Sequence, residues 1–263
     1  MRGLTLGMMV LVALIEGAAG KALANPAVES IDFPTEGGIQ GRADVYASKS
    51  GSATLVLLFH QAGWSRGEYR EIAPKLVRAG YQVMAVDQRS GGAVNGVKNE
   101  THRRATKMGL ARSYLDAYAD LKAALAYARK ELGASQIIVW GSSYSASLVF
   151  RLAAEHPTGI AAVMAFAPGE YFEKQKSPVY IWNFAKRVKQ PLFVTSSKKE
   201  RAQVKPIFDA SPAEKKILFT PASRGQHGSR ALWEKFPDHD VYWAAVNGFL
   251  KTYAPPTPTH APN

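Results

Sequence analysis

Four large apolar residues, Ile137-Ile138-Val139-Trp140, pass without a break into Gly141-Ser142-Ser143-Tyr144-Ser145, and helical spacing of apolar residues begins directly afterwards. Such a run reads as a strand buried on both faces, so the chain must turn from strand to helix around a single serine. A turn that sharp needs small residues two positions to either side of its tip, because bulk there collides with the neighbouring strand and helix. Gly141 and Ser145 take those places, with Ser145 standing where the G-x-S-x-G pattern has glycine. In this context Ser143 is a candidate nucleophile; it also suits a plain helix N-cap, which serine favours on its own merits.

The rest of the chain fits one architecture around that turn. Ile39 to Tyr46 alternates as an early antiparallel strand does, and Ala53 to Phe59 reads as a strand buried on both faces. A helix over Glu68 to Ala79 ends at Gly80 before a strand from Tyr81 to Val86. A longer helix spans Ser113 to Leu132, with Leu115, Tyr118, Leu121, Leu125 and Ala128 on one face and Gly133 as its stop. Strand 136–140, helix 144–155, strand 160–166, strand 191–196, helix 201–210, strand 216–220 and a final helix near 242–253 complete the series. Repeated β–α alternation with short connections predicts an α/β fold, a mostly parallel central sheet with helices on both faces.

Two connections exceed what that pattern needs: Gln88 to Arg112, rich in glycine and basic residues, and Pro168 to Gln190, rich in aromatics and lysines. Long loops in a compact domain are usually functional or mobile. Tyr171, Phe172, Tyr180, Trp182 and Phe184 suit a small or minimal cap over a site, and equally suit packing onto the domain body.

The ends carry other signals. Arg2, the apolar run Leu4 to Ile15 and Ala22-Leu23-Ala24 form the three parts of a secretory leader, with cleavage expected after Ala24. The apolar run is about a dozen residues, against the roughly 20 that a spanning helix needs, and Glu16 follows it. The expected organisation is therefore a signal peptide over 1–24, one domain over 25–253 and a disordered tail over 254–263, where four of ten residues are proline. An exported protein, periplasmic or extracellular, with no stable membrane insertion after cleavage, follows from the leader.

The chain has no cysteine, which removes disulfides, a thiolate nucleophile and zinc–thiolate chemistry together. Its net charge of +12 suits anionic substrates, an acidic envelope or nucleic acid. The basic residues are scattered, however, and no zinc-finger, basic-zipper or aromatic RNA-binding signature accompanies them, so no nucleic-acid partner is expected. No phosphate loop, paired metal ligands or nucleotide motif is present, and neither cofactor nor metal is expected.

Upstream of the serine turn, strand Leu55 to Phe59 ends at His60-Gln61-Ala62-Gly63-Trp64. An oxyanion hole needs two backbone N–H groups aimed at one point; Tyr144 follows the nucleophile, and Gln61 or Ala62 supplies the second. His60 reads as a brace for that loop through hydrogen bonds.

Taken with Val86-Asp87-Gln88-Arg89-Ser90-Gly91 and Gly225-Gln226-His227-Gly228, these segments make the chain resemble the α/β-hydrolase superfamily, and within it the compact dienelactone-hydrolase-like and prolyl-oligopeptidase-like enzymes. The resemblance covers nearly all of 25–253. It implies a triad in the chain order Ser, Asp or Glu, His. His227 is then the base; His102, His156, His239 and His260 lie in a basic loop, a helix end, an acidic segment and the tail. Glu200 occupies the family's acid position in Ser197-Lys198-Lys199-Glu200-Arg201, although a glutamate there is also favoured by the helix dipole. Asp87 competes for the role, but Asp-x-Arg-x-Gly resembles the family's structural turn. Dienelactone hydrolases use a cysteine nucleophile, which this chain lacks. The implied activity is a serine hydrolase of carboxylesterase type, cleaving an ester or related acyl bond of a small-molecule substrate through an acyl-enzyme. A peptidase, lactonase or acyltransferase on the same triad, or a non-catalytic exported binding protein with this fold, are the alternatives.

Overall fold

The computed structural model describes residues 26–47 and 52–257. Eight strands form one sheet: β1 (Val28–Pro34), β2 (Gln40–Tyr46), β3 (Thr54–Phe59), β4 (Gln82–Val86), β5 (Gln136–Ser142), β6 (Ile160–Phe166), β7 (Leu192–Thr195) and β8 (Lys216–Phe219). Their order is β1-β2-β4-β3-β5-β6-β7-β8. The two N-terminal pairings are antiparallel, and every later one is parallel.

Alternation along β3 shows how the sequence builds two cores at once. Leu55, Leu57 and Phe59 face one side, with helices α3 (Tyr118–Lys130), α4 (Tyr144–Glu155), α5 (Tyr180–Ala185) and α6 (Arg201–Ala210). Val56 and Leu58 face the other, with α1 (Ile72–Arg78) and α7 (His239–Tyr253). All six residues of β3 are buried, which is why the strand reads as a continuous apolar run. Each such side chain contributes about 1.5–3 kcal/mol by leaving water.

This topology fixes where a site forms. The crossover through α1 leads from β3 to β4 on one side of it, and the chain then returns through α3 to β5 on the other, with Phe59 opposite Gly141. The sheet order thus reverses at β3, and the C-terminal ends of β3 and β5 open a crevice between the diverging connections.

Several segments depart from the periodicity. The helix expected from Glu68 begins only at Ile72; before it, Arg66–Tyr69 is a 3-10 turn capped by the Ser65 side chain, and it turns Glu68 inward. The helix expected from Ser113 begins at Tyr118, because Ser113 and Asp116 bond each other's backbone N–H groups in a separate turn. The long connection 88–112 is folded: Ala93–Val94 pairs with Val97–Lys98, and α2 (Glu100–Lys107) follows, capped by Asn99. In the C-terminal tail, residues 254–257 are held rather than loose. Tyr81 donates to the Ala254 carbonyl at 3.0 Å, and Ala53 N–H donates to the Thr257 carbonyl at 2.8 Å. The leader expected over 1–24 and the remainder of the tail lie outside the described residues.

Candidate active site

Ser143 sits between the end of β5 and the start of α4, with φ 59° and ψ −122°. This is a conformation that L-residues rarely adopt; it costs on the order of 1–3 kcal/mol and persists only where its surroundings enforce it. They do: the Ser143 N–H donates to the Phe166 carbonyl at 2.8 Å, and a Cβ on Gly141 would run into the backbone of Ser145 and Ala146. The side chain makes no capping hydrogen bond to α4. A serine placed here for capping would have extended backbone and a bonded hydroxyl, so the N-cap reading does not hold.

Ser145, where the pattern has glycine, is fully buried, and its hydroxyl donates to the His60 carbonyl at 2.6 Å. The departure thereby ties the helix start to the loop after β3. His60 in turn braces that loop. Its Nδ1 donates to the Gln61 carbonyl at 2.8 Å, and its Nε2 accepts from Gln88 N–H at 3.0 Å. Complete burial lowers its pKa to about 4. With both nitrogens committed and the ring neutral, it is no candidate base.

The two loop residues proposed for the oxyanion hole part company. Gln61 N–H donates to Glu68 Oε2 at 2.8 Å and is taken, so of the pair only Ala62 leaves an N–H for a ligand. Tyr144 opens α4, where first-turn N–H groups have no intrahelical partner.

His227 and Glu200 meet: Nδ1 of the imidazole bonds Oε1 of the carboxylate. Glu200 Oε2 accepts from the Ser197 N–H at 3.0 Å and the Ser197 hydroxyl at 2.6 Å. Burial pushes the Glu200 pKa up, but the bonds from His227 and Ser197 outweigh it and leave the carboxyl below its ordinary value. The helix-dipole reading of Glu200 therefore describes only one of its oxygens. Asp87 is engaged elsewhere, accepting from Arg66 N–H, Glu100 N–H and the Arg66 guanidinium at 2.7–2.8 Å. Of the other histidines, His102 bonds the Arg89 carbonyl, His156 ends α4, His239 pairs with Asp240, and His260 lies outside the described residues.

The histidine loop lies against the serine turn. Ser229 N–H donates to Ser142 Oγ at 2.9 Å, and a Cβ on Gly228 would stand 2.5 Å from that same oxygen, at a φ of 70°. Tyr171 follows β6 near the serine turn, where its hydroxyl donates to the Ala167 carbonyl at 2.9 Å. Tyr114 stacks on Tyr144 with centroids 4.5 Å apart. Of the aromatics in 168–190, Phe172, Tyr180 and Phe184 pack edge to face on the domain body, while Trp182 lines an apolar cleft of about 340 Å³ with Val179, Pro206 and Ile207. No group of three or more His, Cys, Asp or Glu side chains among the described residues is placed to hold a metal ion.

Residues 51–234 match the family described as serine aminopeptidase, S33. The chain belongs to this α/β-hydrolase family. No curated protein sequence matches it. Among solved structures, an esterase of Pyrococcus furiosus superposes with a TM-score of 0.67 at 19% identity, over 87% of this chain and 93% of that one. A dienelactone hydrolase from Anabaena variabilis gives 0.66 at 15%, over 88% and 99%. An acylaminoacyl peptidase from Pyrococcus horikoshii gives 0.64 at 16%, covering 92% of this chain but 44% of the peptidase. At these identities the likeness concerns the fold.

Two side chains of this S33-family site escape the sequence patterns. Tyr171 reads there only as one of five loop aromatics. Glu68 reads as a residue in the first turn of an amphipathic helix, and only the 3-10 turn brings it beneath the site.

Proposed function

We propose that the protein is a serine hydrolase that cleaves an ester or related acyl bond of a small molecule. The observations that support the reading are the strained, uncapped Ser143, a His227–Glu200 pair whose carboxylate is held by Ser197, and the bond from Ser229 N–H to Ser142 Oγ that brings the histidine loop against the serine turn. Ser143 attacks the acyl carbon while His227 takes its proton, and Glu200 keeps the imidazole in the Nδ1–H tautomer and supports the imidazolium that forms. The N–H groups of Tyr144 and Ala62 receive the oxyanion. The leaving alcohol departs with the proton from His227, an acyl-enzyme remains, and water activated by the same histidine releases it.

The basic surface suits an anionic acyl or alcohol portion, and the leader sequence supports work outside the cytoplasm. The family match also favours a second reading, removal of an amino-terminal residue from a peptide. That activity needs an uncompensated carboxylate for the substrate ammonium. Glu170, the residue before Tyr171, instead accepts the N–H groups of Ile181 and Trp182 at 2.7–2.8 Å at the start of α5. A panel of p-nitrophenyl esters of increasing acyl length beside aminoacyl p-nitroanilides separates the readings. Ester turnover that disappears in Ser143→Ala is expected; anilide turnover alone replaces the first reading with the second, and neither turnover leaves a binding protein.

A further inference from the structure

Glu68 is fully buried and has no part in the steps above. Its two carboxyl oxygens serve different parts of the site. Oε2 accepts the Gln61 N–H of the loop after β3 at 2.8 Å, and Oε1 accepts the hydroxyl of Ser142, the residue before the nucleophile, at 2.7 Å. Ser142 Oγ accepts in turn the N–H of Ser229, two residues beyond His227. The Glu68 carbonyl also accepts the Trp233 indole N–H at 2.9 Å. The oxyanion loop, the serine turn and the histidine loop are therefore joined on one side chain.

Stability alone gives little reason for a carboxyl in this place. Burial raises its pKa to about 7, against the bonds from Ser142 and Gln61 and the charges of His227 and Arg230. An apolar side chain of similar volume would avoid that desolvation. What an apolar residue cannot do is accept the Gln61 N–H. Holding that N–H inward fixes the His60–Gln61 peptide, while the next peptide, which carries the Ala62 N–H, is held at its Gln61 carbonyl by His60 Nδ1 at 2.8 Å and the Trp64 N–H at 3.3 Å; with Gln61 clamped on both sides, the direction of the Ala62 N–H is set.

We propose that Glu68 is a positioning residue of the site, which aims the Ala62 N–H at the oxyanion by holding Gln61 and, through Ser142, sets the histidine loop over Ser143. The proposal rests on the reading of Ser143 as nucleophile. It places Glu68 in the transition state's geometry without contact to the substrate, so its loss acts on kcat and on tetrahedral adducts rather than on ground-state binding.

The test compares wild type, Glu68→Gln, Glu68→Leu and Ser142→Ala. The readouts are kcat and KM on a p-nitrophenyl ester, affinity for an alkyl boronic acid, thermal midpoint, and fluorophosphonate labelling of Ser143. Glu68→Gln keeps an acceptor for Gln61 and should hold kcat within about tenfold; Glu68→Leu should lose roughly 10²–10³ in kcat and a parallel factor in boronate affinity, with KM nearly unchanged. Ser142→Ala, which leaves Gln61 bonded but cuts the link to Ser229, should lose about tenfold in kcat. A folded Glu68→Leu with wild-type kcat and boronate affinity overturns the proposal, as does one whose defect lies in KM or in folded fraction alone. If Glu68→Leu does not fold, Ser142→Ala decides, and an unchanged kcat there overturns it. A wild type that neither turns over esters nor labels at Ser143 defeats the functional reading instead, so the two failures are distinct.

Discussion

At the residue scale, the backbone of Ser143 is held in a conformation that brings the fold no capping bond, and that expense is what makes the hydroxyl available. Glu200 is the side chain whose role can be isolated best, since one oxygen is held by Ser197 and the other meets His227. Glu200→Gln keeps the shape but not the charge, and an amide can stabilise the wrong imidazole tautomer. Stopped assays should find kcat lower by roughly 10²–10⁴ with KM little changed. Near-normal kcat in a folded Glu200→Gln would remove Glu200 from the triad. Glu68 allows a test that needs no substrate. Its folded pKa, raised by burial to about 7 from an ordinary 4.5, means that the native state holds this proton over a window where the unfolded chain has lost it. The associated stability is present below about pH 4.5 and is lost as pH rises through 7, by about 3 kcal/mol at 1.36 kcal/mol per unit. His60 and Asp87 titrate alike in both proteins and cancel. Glu68→Gln should therefore gain thermal midpoint relative to wild type between pH 5 and pH 8; a constant difference between the two midpoints contradicts this.

At the scale of elements, the parts that sequence reveals and the parts it hides differ in how much they bury. β3, β5 and α4 are read from their residues because nearly every side chain is in the core. β1 is hidden because it lies at the sheet edge and buries only Phe33, so Val28-Glu29-Ser30 has no apolar alternation. α2 is hidden because only Thr101 and Ala105 face inward from an otherwise polar helix. The serine turn and the His227–Glu200 pair of the candidate site could be picked out from sequence because Ser143 directly follows one recognisable strand, and Glu200 and His227 lie in the loops that follow two others. Glu68 could not, because its partners, Gln61 and Ser142, come together only through tertiary structure. The turn after β4 is fastened in a comparable way: Arg89 donates through its N–H, Nε and Nη2 to Asp120 at the start of α3, with Arg89 7% and Asp120 0% exposed. Removing the acid leaves a buried guanidinium without its partner. Denaturant unfolding of Asp120→Ala should show a loss of about 3–5 kcal/mol, and a loss below about 1 kcal/mol would mean that water replaces the carboxylate.

At the scale of the whole molecule, two cores on either face of a sheet that reverses at β3 leave the crevice at the strand ends free to carry chemistry. The sequence signal for export is independent of that fold. On the proposal that 1–24 are a leader cleaved after Ala24, intact-mass measurement of protein from culture fluid or periplasm should show Asn25 as the first residue. A chain retained in membranes with Met1 would contradict export. The account as a whole depends on Ser143 being activated by His227 and Glu200, and fluorophosphonate labelling followed by peptide mapping tests it most directly. The expected result is rapid, stoichiometric modification of Ser143 in wild type, slower modification in Glu200→Gln and none in Ser143→Ala. Labelling that persists in Ser143→Ala, maps to another residue, or is absent from the folded wild type would contradict it.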